Sequence, residues 1–376
     1  MRLLHTSDLH LGIKLMDVDL LEDQKYILDK IIGIAKKEKI DALLLSGDIY
    51  DVSIPRIEAI SLLNDFLTKM NGENIKVFII SGNHDQAERL SFGNKILNKE
   101  GIYISEQYKK NSGCISLNDE FGKINFFLLP YIKPINIRNE FQIEENISYN
   151  EAVKRAIENF SINKNERNIL LAHQFITGGV ICESESIQVG NTDQVDVKFF
   201  SDFDYVALGH LHMPQILGKN NNIRYSGSPL KLSFSETKKE KICYLIDIKQ
   251  KYNLNIKEIP IQPLHDMAII KGDYKELVDN NDLKTKHIES YLKIELTDKT
   301  DIPYVKDKLK TVYHNALEVI YERQSKKLKE LNSQISSIKD LSEFDLVQKF
   351  FKEQMNKELN KKQEKYITEA LEKLEK

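Results

Sequence analysis

The chain has 376 residues, 41% of them hydrophobic and 30% charged, with a formal net charge of −3; this is ordinary globular composition, long enough for two or three domains. No apolar run of about 18 residues offers a membrane span, the polar residues of the first eight come too early for a signal peptide, and Cys114, Cys182 and Cys243 lack the spacing of a disulfide framework or a thiolate zinc site. A soluble, cytoplasmic protein is expected, and with no basic excess any grip on a polyanion must come from local groups or bound metal.

Short apolar runs alternate with segments of helical period, the pattern of a layered α/β fold. Strands are predicted over 2–6, 42–45, 75–80, 123–129, 168–172, 205–208, 223–225, 242–248 and 254–259, and helices over 20–37 and 57–70. Near Pro260 and Pro263 the style changes. A strand over 267–270, a helical turn over 274–278, a strand over 291–296, a helix over 302–312 and a strand over 317–321 make a small α+β module. A polar stretch follows, and then a capping box at Ser342–Asp345. The helix after it carries Phe344, Val347, Phe351, Met355 and Leu359 at steps of three or four, with Phe350 alongside, so its apolar face must find a surface. The expected division is 1–262, 263–321 as a capping or DNA-binding module, and 322–376 as linker and helical tail.

Chemistry gathers after the strands. Asp8 and His10 follow the first, Asp48 the second, Asn83, His84 and Asp85 the third, and His173, His210 and His212 the later ones. Ligands in open α/β sheets bind at the carboxyl ends of strands, so these side chains can converge from distant positions. The donors are oxygen and nitrogen without thiolate, which suits manganese, iron or zinc. Asp8 and Asp48 against two divalent ions leave a centre of about +2, able to attract a phosphodiester anion. His5, His265, His287 and His314 lack such a setting.

The ordered set Asp8-x-His10, Gly47-Asp48-x-x-Asp51, Gly82-Asn83-His84-Asp85, His173 and Gly209-His210-x-His212 resembles the calcineurin-like metallophosphoesterase superfamily. Within it, the stretches from Thr6 to Gly12, Ser81 to Phe92 and Tyr225 to Leu230 resemble the SbcD family of bacterial nuclease subunits, relatives of the nuclease subunit in the eukaryotic double-strand-break repair complex. The resemblance implies a four-layer αββα sandwich, with Asp8, His10, Asp48 and His212 on one metal ion. Asp48 would bridge to a second ion held by Asn83, His173 and His210. His84 would stand beside the scissile phosphate, with Asp85 buttressing it. Asp51 stands where some members carry a histidine. The resemblance further implies Mn²⁺, 3′→5′ exonuclease action on duplex DNA, and endonuclease action on single strands and hairpins. Its partner would be SbcC, a coiled-coil ATPase, docked on the tail at Phe344, Val347, Phe350, Phe351, Met355 and Leu359. A homodimer is expected through Ile60, Leu63 and Phe92, and phosphate contacts from Lys14, Arg56 and Arg89. A protein phosphatase would want Asp-Arg-Gly after Asp48 and Glu after His84. A small-molecule or cyclic-nucleotide phosphodiesterase has no evident use for residues 264–376, and a metal-free scaffold would have lost ligands. No G-x-x-x-x-G-K-[ST] loop is present.

Overall fold

A computed structural model describes residues 1–182, 184–185, 193–324, 344, 347–348, 350–352, 357–364 and 366–367. Two six-stranded sheets lie face to face. The first runs in the order Leu254–Pro260, Ile242–Ile248, Arg2–Thr6, Ala42–Ser46, Lys76–Ile80 and Ile102–Ile104. Its last four strands are mutually parallel, and the first two are antiparallel to their neighbours. The second runs Gln215–Leu217, Ile223–Tyr225, Tyr205–Gly209, Arg167–His173, Gly122–Leu129 and Ile115–Asp119, parallel except at its two edges.

Alternation sorts the side chains into layers. Leu3, Leu44 and Phe78 of the first sheet meet Phe126, Ile169 and Leu171 of the second. Their sequence neighbours Leu4, Leu43, Leu45 and Ile79 face away, onto the helices Leu21–Glu38 and Ile57–Gly72. On the far side Leu170, Ala172 and Val206 pack under Tyr149–Glu158. The result is helix, sheet, sheet, helix. Burial on both faces explains why the parallel strands read as unbroken apolar runs. The edge strands Ile115–Asp119 and Gln215–Leu217, half exposed and mixed in polarity, did not stand out in the sequence. Helix Tyr149–Glu158 is likewise not among the predicted elements, although Ser148 caps it by accepting the Glu151 N–H at 3.1 Å.

The small module is a three-stranded parallel sheet, Met267–Gly272, Tyr291–Leu296 and Ala316–Tyr321. Its own core includes Ile270, Leu277, Ile294, Leu309 and Tyr313. The helix expected over 302–312 is shorter, Val305–Lys310, and starts after Tyr304 turns into the left-handed region at φ 56°. One buried carboxylate latches the module to the sandwich. Asp23, in the first turn of Leu21–Glu38, accepts from Tyr291 Oη at 2.8 Å and lies 3.0 Å from His265 Nδ1. The adjacent Gln24 donates to the carbonyls of Leu9 and His10 and accepts from the Gly12 N–H.

His5 sits in the middle of the sandwich. Its Nε2 donates to the Leu208 carbonyl at 3.2 Å, so its Nδ1 accepts from Tyr205 Oη at 2.9 Å. Burial drops its pKa to about 3 from 6.5, against the Leu208 contact, which favours the proton. The folded pKa is depressed, so between about pH 3 and 6.5 the unfolded chain takes up a proton that the folded one refuses. Stability therefore falls as pH drops through that window, by up to about 1.4 kcal/mol per pH unit from this group. His5→Gln keeps a hydrogen-bonding side chain without the titration. Its urea midpoint should fall less than that of wild type between pH 7 and pH 5; equal falls would remove His5 as the cause.

Candidate metal centre

The site is built where strands of both sheets end. Asp8 and Asp48 lie in loops that leave adjacent parallel strands side by side. The Asp8 N–H donates to the Gly47 carbonyl, His10 N–H to Asp48, and Leu11 N–H to Ile49, each at 2.9–3.0 Å. His173 ends its strand and His210 follows the neighbouring one in the second sheet. The two sets meet only because glycine lets the chains touch. A Cβ on Gly209 would stand 1.8 Å from the Ser46 carbonyl oxygen, and one on Gly82 would stand 2.0 Å from Asp48 Oδ1. Asp8, His10, Asp48 and His210 all take positive φ, at 53°, 42°, 47° and 107°. Such strain persists only where the surroundings impose it, and it concentrates at functional sites.

Seven side chains then converge. Asp8 Oδ1 accepts the His210 N–H at 2.9 Å, and its second oxygen accepts from Ser7 Oγ. Asp48 Oδ1 accepts the His84 N–H at 2.9 Å, while Oδ2 lies 3.3 Å from His173 Nε2 and 3.6 Å from His10 Nε2. Asn83 Oδ1 is 3.0 Å from both His173 Nε2 and His210 Nδ1. His10 Nε2 and His212 Nε2 are 3.2 Å apart. Ligand atoms of Asp8, His10 and His212 lie within 4.8 Å of one another; the same holds for Asp8, Asp48 and His173, and for His10, Asp48 and His84.

The outer ring nitrogens reveal what the inner ones offer. A carbonyl can only accept, so His173 Nδ1 donates to Ser46 O at 2.8 Å. Its Nε2 faces the Asn83 oxygen and Asp48 Oδ2, as a donor while the ring is protonated and as a lone pair once a cation takes the proton's place. Ser184 Oγ donates to Glu236, so it accepts from His212 Nδ1 at 2.8 Å, and His212 Nε2 carries a lone pair. Imidazole nitrogens and carboxylate oxygens crowded together away from solvent are stable only with positive charge, a proton or a cation, among them. This donor set of carboxylates, imidazoles and one amide oxygen fits divalent metal ions.

The electrostatics agree. Burial pushes Asp8 up to about 6, against the pull of His173. Burial also opposes ionisation of Asp48, yet His173 and His10 hold it well below the usual carboxylate range. His173 is raised to about 9, the Asp48 and Asp8 charges overcoming burial. Burial lowers His210 to about 3 and His212 well below its ordinary value, so these two stay neutral and able to ligate. Two buried carboxylates within one cluster demand positive charge beside them.

His84 is half-buried at the edge of the cluster and donates from Nδ1 to the Asp51 carbonyl at 2.7 Å. The expected support from Asp85 takes a different form. Its carboxylate accepts the backbone N–H groups of Gly82, Ile49 and Tyr50, clamping two strand-end loops together, and Asp51 orients the histidine. Asp51 Oδ1 also lies 3.4 Å from His10 Nδ1. Sequence reasoning missed Ser184, Glu185, Glu236 and Lys241, which surround His212 from behind. Their segments carry no rare residue type or spacing that marks them.

The surface expectations divide. Arg56 is committed to Asp19 in a bidentate ion pair, whereas Lys14 and Arg89 are exposed with no ion-pair partner among the described residues. Leu63 is 5% exposed and packs in the helix–sheet core, so it is no interface residue; Phe92 at 87% and Ile60 at 45% are exposed, beside Ile57 at 77% and Ile96 at 71%. In the tail Phe344, Val347 and Phe351 are half-buried, Leu359 is buried and Phe350 is exposed, while Met355, Ser342 and Asp345 lie outside the described residues. The helix expected after Ser342 does not run unbroken. Residues 357–360 are not helical, and Asn360 Oδ1 caps a new turn by accepting the Lys362 and Gln363 N–H groups at 3.0 Å.

Residues 1–214 match the calcineurin-like phosphoesterase family, and residues 263–355 match the family described as type 5 capsule protein repressor C-terminal domain. The SbcD subunit of the nuclease SbcCD from Staphylococcus epidermidis is 34% identical over 378 aligned residues, covering 99% of this chain and 98% of that protein. Its counterpart from Staphylococcus saprophyticus is 35% identical, covering 84% of each chain. Among the described residues, no helix is long and apolar enough to cross a membrane.

Proposed function

The chain belongs to the SbcD family of nuclease subunits, within the calcineurin-like phosphoesterases, and from that premise we propose that its strand-end cluster is the two-metal site of a DNA nuclease. The family makes it a metal-dependent hydrolase. The observation that carries the finer reading is the set of ligand-type nitrogen and oxygen atoms converging on two foci, around His10 and His212 and around Asn83, His173 and His210. Asp8, His10, Asp48 and His212 would hold one ion and Asn83, His173 and His210 the other, with Asp48 shared. When bound, divalent ions supply charge stabilisation at the phosphoryl oxygens and a nucleophile at neutral pH; the proposed metal is Mn²⁺.

The chain's own groups do the positioning. Asp85 and Gln24 fix the loops that carry Asp48 and His10. His84, anchored through Nδ1 to the Asp51 carbonyl, has Nε2 left to meet the phosphate or the departing oxygen. The proposed reactions are 3′→5′ exonuclease action on duplex DNA and endonuclease action on single strands and hairpins, in recombination, repair and replication in the cytoplasm. His84→Gln should retain Mn²⁺ and DNA binding while turnover on a labelled hairpin falls at least about 100-fold; Lys14→Gln and Arg89→Gln should each lower the salt slope of DNA binding by about one. Loss of metal from His84→Gln would make it a ligand, and a hairpin left uncut by wild type with Mn²⁺ would sink the nuclease reading.

A homodimer is supported by the exposed apolar side chains of Ile57, Ile60, Phe92 and Ile96. Large apolar side chains left in solvent suit an interaction surface, and an isologous pair would bury them. Phe92→Asp should halve the sedimenting mass while the fold persists; an unchanged mass would exclude this face.

The SbcC coiled-coil ATPase is the proposed partner, taken up by the tail through Phe344, Val347, Phe350 and Phe351, within a heterotetramer. Phe350 is 64% exposed and its neighbours are only half covered, which supports helix-on-helix docking in trans. Removing residues 342–376 should abolish co-purification with SbcC and spare basal Mn²⁺ nuclease activity. Full affinity in the truncated protein would place the contact elsewhere.

A further inference from the structure

His212 is held unlike any other member of the cluster. His173 leans on a backbone carbonyl and His210 on Asp8, but three polar atoms of His212 are engaged by a network from distant segments. Its N–H donates to Glu185 Oε1, its carbonyl accepts from Lys241 Nζ at 2.7 Å, and its Nδ1 donates to Ser184 Oγ at 2.8 Å. Ser184 passes that contact to Glu236 Oε1 at 2.8 Å, and Glu236 is ion-paired with Lys241. The side chains of Glu236 and Lys241 are 0% and 4% exposed. Glu236 Oε1 also accepts from Leu232 N–H and Ser233 Oγ, and Lys241 donates to Ser228 Oγ, so the charged pair is fully hydrogen-bonded.

Taking two charges out of water is costly, and a pair of apolar side chains would serve packing as well. The use of the charges lies in their direction. The carboxylate sets the serine hydroxyl to accept, which keeps the proton on His212 Nδ1 and the lone pair on Nε2; the ammonium fixes the main chain of the same residue. A carboxylate behind a ligating histidine, here relayed through one hydroxyl, raises ligand basicity and fixes ring orientation.

We propose that Glu236, Lys241 and Ser184 are positioning residues that preset the tautomer and pose of His212 for one of the two metal ions. This rests on the two-metal reading, so the test reads binding of Mn²⁺ itself. Calorimetric titration of the full chain would compare wild type with Ser184→Ala, Ser184→Thr and the double variant Glu236→Leu with Lys241→Met, with thermal midpoints recorded on the same samples. Wild type should bind two ions. Ser184→Ala should weaken one of them about 10–100-fold at an unchanged midpoint, and Ser184→Thr should restore it. The double variant should still fold, because an apolar pair replaces the buried ions, and should lose affinity at that one site. If it fails to fold, the two serine variants decide alone. Wild-type affinity at both sites in Ser184→Ala, or in a double variant that stays folded, shows that the network supports only the fold and overturns the proposal. A wild type that takes up no Mn²⁺ overturns the two-metal reading first, and the proposal with it.

Discussion

The molecule turns on two carboxylates buried away from solvent. Asp8 and Asp48 stand at the ends of neighbouring parallel strands, both buried, with oxygens within 4.8 Å of each other. Their mutual repulsion in a medium of low polarizability is severe. Parallel pairing places them there, since strands that start together end together. The groups around them answer that charge: the raised pKa of His173 and the amide hydrogens donated by His84 and His210. The second sheet supplies three of the four histidines proposed as ligands. The site therefore exists only when the two halves of the sandwich close over the layer of Leu3, Phe78, Phe126 and Leu171.

That dependence explains which parts were readable from the chain. The parallel strands are legible because burial on both faces forces apolar runs, and the cluster is legible because histidine, aspartate and asparagine recur immediately after those runs. Helix Ile57–Gly72 was harder. Its apolar residues at 57, 60, 63 and 67 look alike in the sequence, yet exposure falls along the helix from 77% at Ile57 to 5% at Leu63. Spacing reports the side of a helix and not how far the sheet beneath it extends. The supports of His212 were invisible for a different reason. A glutamate and a lysine in a charged loop are ordinarily solvated, and only the three-dimensional closure of residues 228–241 over the site removes their water.

Strain and its supports complete the logic. Four of the cluster's residues occupy left-handed backbone that costs each of them roughly 1–3 kcal/mol. A free loop would relax out of it, so the conformation has to be imposed from outside. Asp85 imposes it on the Asp48 loop through the amides of Ile49 and Tyr50, and Gln24 imposes it on the His10 loop through two carbonyls and one amide. Gln24 in turn sits in the first turn of a helix whose preceding residue, Asp23, binds Tyr291 and His265 of the small module. The strained His10 loop is thus separated from the module by a single peptide unit of a hydrogen-bonded helix. Helical backbone is stiff on that scale, because each residue there is locked by bonds to its neighbours a turn away. The seat of the module and the pose of His10 are therefore set by the same turn of helix, and neither can be displaced without loading the other.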